Sequence, residues 1–270
     1  MKIKVLVDNN TLTGSYYTGE PGFSLWIECG GRNILFDCGY SDLFLRSARR
    51  MKLPAPDTIV LSHGHSDHTW GLFELIKEMS ESGTTARPRL ILHPEALGRK
   101  RLHGHEAGII VERGALADYF DLRPTKEPLE IAEKLFWLGE IEPAVHPRKA
   151  LGEKLSGGEW EPDYCVDDSA LVYDGKDGLV IITGCSHSGI CNIVEQARRL
   201  TGKRRLADII GGFHLRSGSD EEMSPVISYL EKEPPARMHP CHCSCQRARL
   251  ALAAKFESGE VGVGTELDFD

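Results

Sequence analysis

The chain has 270 residues, 41% of them hydrophobic and 27% charged, with a formal net charge of -8. That supplies a substantial core and suits one large layered α/β domain spanning 1–270. The acidic balance argues against a nucleic-acid-binding surface, although bound metal ions can supply local positive charge to an anionic substrate.

Lys2 to Val7 is β-rich and alternating, so a first strand is predicted there. It lacks the apolar core and small-residue cleavage site of a secretory signal, and no run is long enough to span a bilayer, so a cytoplasmic protein with no membrane partner is expected. Phe23–Cys29 and Asn33–Asp37 read as a hairpin turned at Gly30-Gly31-Arg32. Ser41-Asp42 precedes a helix to about Lys52. Asp57–Leu61 is a short strand, Leu72–Met79 a helix, and Arg89–Leu92 a strand. From about 95 to 163 the pattern weakens, apart from one strand within Glu130–Leu138, and this stretch is read as a variable, substrate-covering insertion. Ala170–Asp174 and Leu179–Thr183 form a second hairpin. Helices follow at Ile190–Leu200, Glu221–Lys232 and Gln246–Phe256, with strands at Ala207–Ile210, Arg237–His239 and Val261–Phe269.

The strand Asp57–Leu61 runs into His63-x-His65-x-Asp67-His68. Three imidazoles and a carboxylate in one strand-end loop can turn toward two neighbouring ions, and such donors suit Zn, Fe or Mn. His187, in Gly184-Cys185-Ser186-His187-Ser188-Gly189, and His242, in Pro240-Cys241-His242-Cys243, also follow strands. His214, after Gly211-Gly212-Phe213, is a candidate for substrate contact or proton donation. Asp37 is either a carboxylate orienting a ligand histidine or a turn residue.

The His-x-His-x-Asp-His signature, with the hairpin before it and the single-histidine motifs after it, resembles the metallo-β-lactamase superfamily. Gly184–Ile190, Gly211–Leu215 and Pro240–Cys243 are similar to one branch of it. That branch is labelled 7,8-dihydropterin-6-methyl-4-(β-D-ribofuranosyl)-aminobenzene-5′-phosphate synthase-like. The resemblance implies an α+β fold, the four-layer αββα sandwich, with metals at one edge. It implies two divalent ions, zinc first, with His63 and His65 on one and Asp67 and His68 on the other, completed by His187 and His242. Many members bridge the ions with a carboxylate after a strand and glycine. Here Cys185 follows Gly184, so the bridge is Cys185, Asp168 or water alone.

Three functions follow. The first is a binuclear hydrolase in which a metal-activated hydroxide attacks a small ester or phosphoester, with Asp67 orienting it and His214 assisting the leaving group. The second is a transferase on a pterin or ribofuranosyl phosphate, and the third a di-iron redox protein. In each the partner is a small molecule, and an oligomer is open. Cys241, Cys243 and Cys245 are read as thiols beside the metal or, less favoured, a separate zinc site. The basic run Arg99-Lys100-Arg101 reads as a solvated or anion-contacting face.

Overall fold

The computed structural model describes all residues, 1–270. Strands β1 (Lys2–Val7), β2 (Ser24–Cys29) and β3 (Arg32–Phe36) form an antiparallel meander. Helix α1 (Leu43–Arg50) leads to β4 (Thr58–Val60). A one-turn helix α2 (Ser66–Thr69), helix α3 (Gly71–Ser82) and β5 (Arg89–Leu92) follow. Next come β6 (Lys100–Leu102), β7 (His105–Glu106), α4 (Arg113–Tyr119), β8 (Asp121–Pro124), β9 (Leu129–Ala132) and β10 (Leu135–Trp137). Then β11 (Glu153–Ser156), β12 (Glu159–Pro162), β13 (Ala170–Gly175), β14 (Gly178–Thr183) and α5 (Ile190–Thr201). The chain ends with β15 (Leu206–Gly211), α6 (Asp220–Leu230), β16 (His239–Pro240), α7 (Gln246–Ala253) and β17 (Glu266–Asp268).

These pair into two large sheets, β17-β1-β2-β3-β4-β5-β8 and β16-β15-β14-β13-β10-β9, and a small one, β12-β11-β6-β7. Each large sheet changes from antiparallel pairing to parallel pairing, at β3/β4 and at β14/β15. The parallel strands therefore end at loops that can carry chemistry. Alternation decides which side chains face which layer. Ile34 and Phe36 of β3, with Val180 and Ile182 of β14, pack between the sheets. Leu35 packs outward against Phe44 of α1 and Leu72 and Leu75 of α3. Ile181 packs outward against Ile193 and Val194 of α5 and Val226 and Leu230 of α6. The result is the four-layer αββα sandwich that was expected.

Two expectations need correction. Glu130–Leu138 is two strands, because Lys134 takes a left-handed backbone (φ 61) and turns β9 into β10. The stretch 95–163 contributes to the large sheets: β8 and β9 are edge strands of the two, β10 lies just inside β9, and only β6, β7, β11 and β12 stand apart. These strands are short and their residues mostly half-buried or exposed, so they carry little apolar periodicity.

Candidate metal centre

The loop after β4 brings three of the histidines to one edge of the sandwich, and α2 begins inside it, with Asp67 and His68 on its single turn. The loop after β14 brings Cys185 and His187 to the same place, and the loop after β16 brings His242. Gly184 makes this approach possible. A Cβ there would lie 2.1 Å from the Ser62 hydroxyl, so only glycine fits between the two loops.

The donors fall into two groups. His187 Nε2 lies 3.0 Å from His65 Nδ1 and 3.2 Å from His63 Nε2. His68 Nε2 lies 3.2 Å from His242 Nε2, and Asp67 Oδ2 is 3.4 Å from His242 Nε2. Cys185 Sγ, 3.2 Å from His68 Nε2, belongs both to the group with Asp67, His68 and His242 and to the group with His63 and His187. Asp168 does not converge on these atoms. One of its oxygens accepts the Ser188 amide at 2.9 Å, which braces the His187 loop, and burial pushes its carboxyl up to about 6.

Outer partners fix the rings. Asp37 Oδ2 accepts the Nδ1–H of His68 at 2.7 Å and the Ser62 hydroxyl at 2.7 Å. With its proton so committed, the Ser62 oxygen accepts from His63 Nδ1 at 2.9 Å. His242 Nδ1 donates to Asn9 Oδ1 at 2.9 Å, and Asp8 accepts the His242 amide at 3.0 Å. Three Nε2 atoms are thereby turned inward. Burial holds His63 and His187 well below the ordinary imidazole range and His65 down at about 4, so these rings are neutral near pH 7. Burial also disfavours charge on His68, but Asp67 and Asp37 outweigh it and raise it to about 9. Asp67, despite burial, is held well below the carboxylate range by His68 and His242. Imidazole nitrogens, a carboxylate and a thiol converging on one another fit divalent cations, which would displace the protons of His68 and the thiol.

The other predicted residues separate. The His214 ring packs against the His187 ring, centroids 4.4 Å apart and tilted by 60°, and its amide donates to Cys243 Sγ at 3.3 Å. Cys243, Cys185 and His214 form a further close group. Cys241 is fully buried in the inter-sheet core. Cys245 is corrected: its sulfur accepts the Ala248 amide at 3.4 Å and caps α7, turned away from the centre by the helix start. The three cysteines therefore form no zinc site of their own.

Lys100 also differs from its reading. It is buried, with its ammonium 2.5 Å from Asp163 and 2.9 Å from Asp167, while its neighbours Arg99 and Arg101 reach Glu106 and Glu153 on the surface. Alternation along β6 is the signal that could have shown it. Asp167 in turn accepts the Gly64 amide of the metal loop at 2.8 Å. Cys165, near His65 and His187, was missed altogether; no motif in the sequence marks it.

The centre lies in a cleft of about 280 Å³, whose lining includes Tyr40, Asp67, His187, His214, Arg216 and His242. Leu102, Ala107 and Leu151 of the 95–163 stretch form part of its wall.

Comparison with known proteins agrees with this geometry. The family described as the metallo-beta-lactamase superfamily matches residues 17–200. The uncharacterized protein MJ0448 of Methanocaldococcus jannaschii is 32% identical over 265 residues, 96% of this chain and 98% of that protein. The 7,8-dihydropterin-6-methyl-4-(beta-D-ribofuranosyl)-aminobenzene-5'-phosphate synthase of the same organism is 27% identical, covering 95% of this chain and 92% of its own. Among solved structures Tm1679, described as a metal-dependent hydrolase of the beta-lactamase superfamily, superposes with a TM-score of 0.86 at 30% identity, over 99% of this chain and 98% of its own.

Proposed function

Because this chain belongs to the metallo-beta-lactamase superfamily, we propose that it is a metal-dependent hydrolase with a two-ion centre, zinc first, acting on a small ester or phosphoester. The observation that carries this reading is the inward convergence of the Nε2 atoms of His63, His68, His187 and His242 on Asp67 and Cys185. His63, His65 and His187 would hold one ion, Asp67, His68 and His242 the other, and Cys185 would lie between them. Bound there, the ions would polarise the substrate oxygen and lower the pKa of water toward neutrality.

The chain's own residues supply the rest. Asp67, partly open to the cleft, orients the attacking water through its carboxylate. His214, packed edgewise against His187 at the cleft wall, is placed to give a proton to the departing oxygen. Arg216 has an exposed guanidinium on the same wall and favours an anionic group on the substrate, which supports a phosphoester. All eight cysteines are unpaired, which suits a reducing, cytoplasmic setting. No helix is long and apolar enough to cross a membrane.

The test is metal content by plasma mass spectrometry on the wild type and a His63→Ala, His65→Ala double variant, followed by a phosphodiester, thioester and ester screen. Two equivalents of zinc, lost in the variant together with hydrolysis, are expected. A fully loaded protein that opens none of these bonds would overturn the reading. The likeness to the aminobenzene-phosphate synthase favours a second one, a transferase. Turnover that requires a second organic substrate would establish it instead.

A further inference from the structure

Two clefts meet at the centre. Beside the metal cleft lies another of about 410 Å³, between the loop 146–151 and the start of α6. Leu151, His187 and His214 line both, so a molecule reacting at the centre can extend past these three side chains into the second cleft.

The second cleft has polar walls that include His146, Ser186 and Ser188. Ile190, Phe213, Leu215 and Val226 give it an apolar, largely buried floor. Lys149 and Glu221 stand at its mouth. Glu222 also lines it, but its carboxylate is occupied by the amides of Arg216, Ser217 and Gly218 at 2.8–3.1 Å. An apolar cavity of about 150 Å³ already accepts a benzene ring, so a ring-sized group fits here with room to spare. An acyl or phosphoryl group alone would need only the first cleft.

We propose that the second cleft is a substrate subsite that seats a ring-sized, apolar alcohol or phenol portion of the ester, with His214 at the passage between the two clefts. This rests on the hydrolase reading. In that reaction the oxygen of water bonds to the acyl carbon or phosphorus, the ester bond to the departing oxygen breaks, and that oxygen takes up a proton. His214 borders both clefts, so the departing oxygen leaves toward the side where His214 stands. Arg216 lines only the first cleft and stays with the anionic half.

The test uses 1-naphthol as the probe and reads binding by calorimetry, on zinc-loaded and on metal-depleted full-length protein. Ala150→Trp fills the second cleft from an exposed loop position that does not line the first. Lys149→Trp, on the same rim, is the second variant in case the first misfolds. The wild type is expected to bind 1-naphthol in both forms, and the variants to bind it at least tenfold more weakly. Inorganic phosphate should bind the zinc-loaded variants as it does the wild type. No binding of 1-naphthol, or equal binding by variants and wild type, overturns the subsite. Binding that follows the expectation, with no hydrolysis of 1-naphthyl acetate or 1-naphthyl methyl phosphate by the loaded wild type, would instead count against the hydrolase reading.

Discussion

The carboxylate of Asp37 accepts the Nδ1–H of His68 at 2.7 Å, and through the Ser62 hydroxyl the same oxygen also steers His63. One buried side chain thus orients a donor in each of the two groups. Replacing it with alanine should weaken zinc binding at both positions by about 10–100-fold, the range seen when such outer partners are lost. Chelator competition measures this. A loss confined to one ion would show that the Ser62 relay does not carry the effect.

Beyond the proton that Cys185 gives up on ligation, which both positions share, ion uptake should depend on pH through an imidazole at one position only. Without an ion, His68 is raised to about 9 from an ordinary value of 6.5 and is charged near neutrality. Its contribution to the stability of the metal-free fold is therefore complete below pH 6.5 and lost as the pH rises through about 9. To ligate, it must release that proton, so affinity at the Asp67, His68, His242 position should climb until about pH 9. At the other position His65 is already neutral above about pH 4, so its imidazoles add no further proton release. Calorimetry in buffers of different protonation heat counts the protons. Equal release at both positions would contradict this.

Cobalt loading should give a sulfur-to-metal charge-transfer absorption in the near ultraviolet, because Cys185 Sγ lies among the donors of both groups. Cys185→Ser should abolish the band while two equivalents of metal are retained through the histidines. A band that survives this change and disappears in Cys243→Ser would move the thiolate to Cys243.

Lys100→Met leaves Asp163 and Asp167 buried without a counter-charge. Removing one partner from such a cluster costs about 3–5 kcal/mol, or roughly 6–20 °C in Tm for a domain of this size. Asp167 illustrates the balance: burial disfavours its charge, yet Lys100 outweighs that and holds it at about 2. Adding Asp163→Asn and Asp167→Asn should recover much of the loss. A melt unchanged in Lys100→Met would mean that water reaches the cluster.

The readable parts of the chain were those whose information is local. The continuous apolar runs of β3 and β14 and the glycine turns beside them are visible in a few residues. So is His63-x-His65-x-Asp67-His68, whose donors share one loop. His187 and His242 were candidates from their strand-end placement, but their assignment to particular ions came through a family likeness, since nothing nearby in sequence says where a lone histidine points. Asn9 was out of reach: its tie to His242 joins residues 233 positions apart. Lys100 was misread for the opposite reason, because its charged neighbours masked a single inward position on a three-residue strand.

The pairing of His68 with His242 has a consequence for biosynthesis. The two rings meet across 174 positions of chain. At 5–20 residues per second, a ribosome needs roughly 10–35 s to travel between them. During that interval a nascent chain displays Asp67 and His68 with no closing ligand, so any ion captured there is weakly held and exchangeable. At the position that His242 closes, the selection of metal would thereby be deferred to a nearly finished polypeptide, after the second sheet has been made.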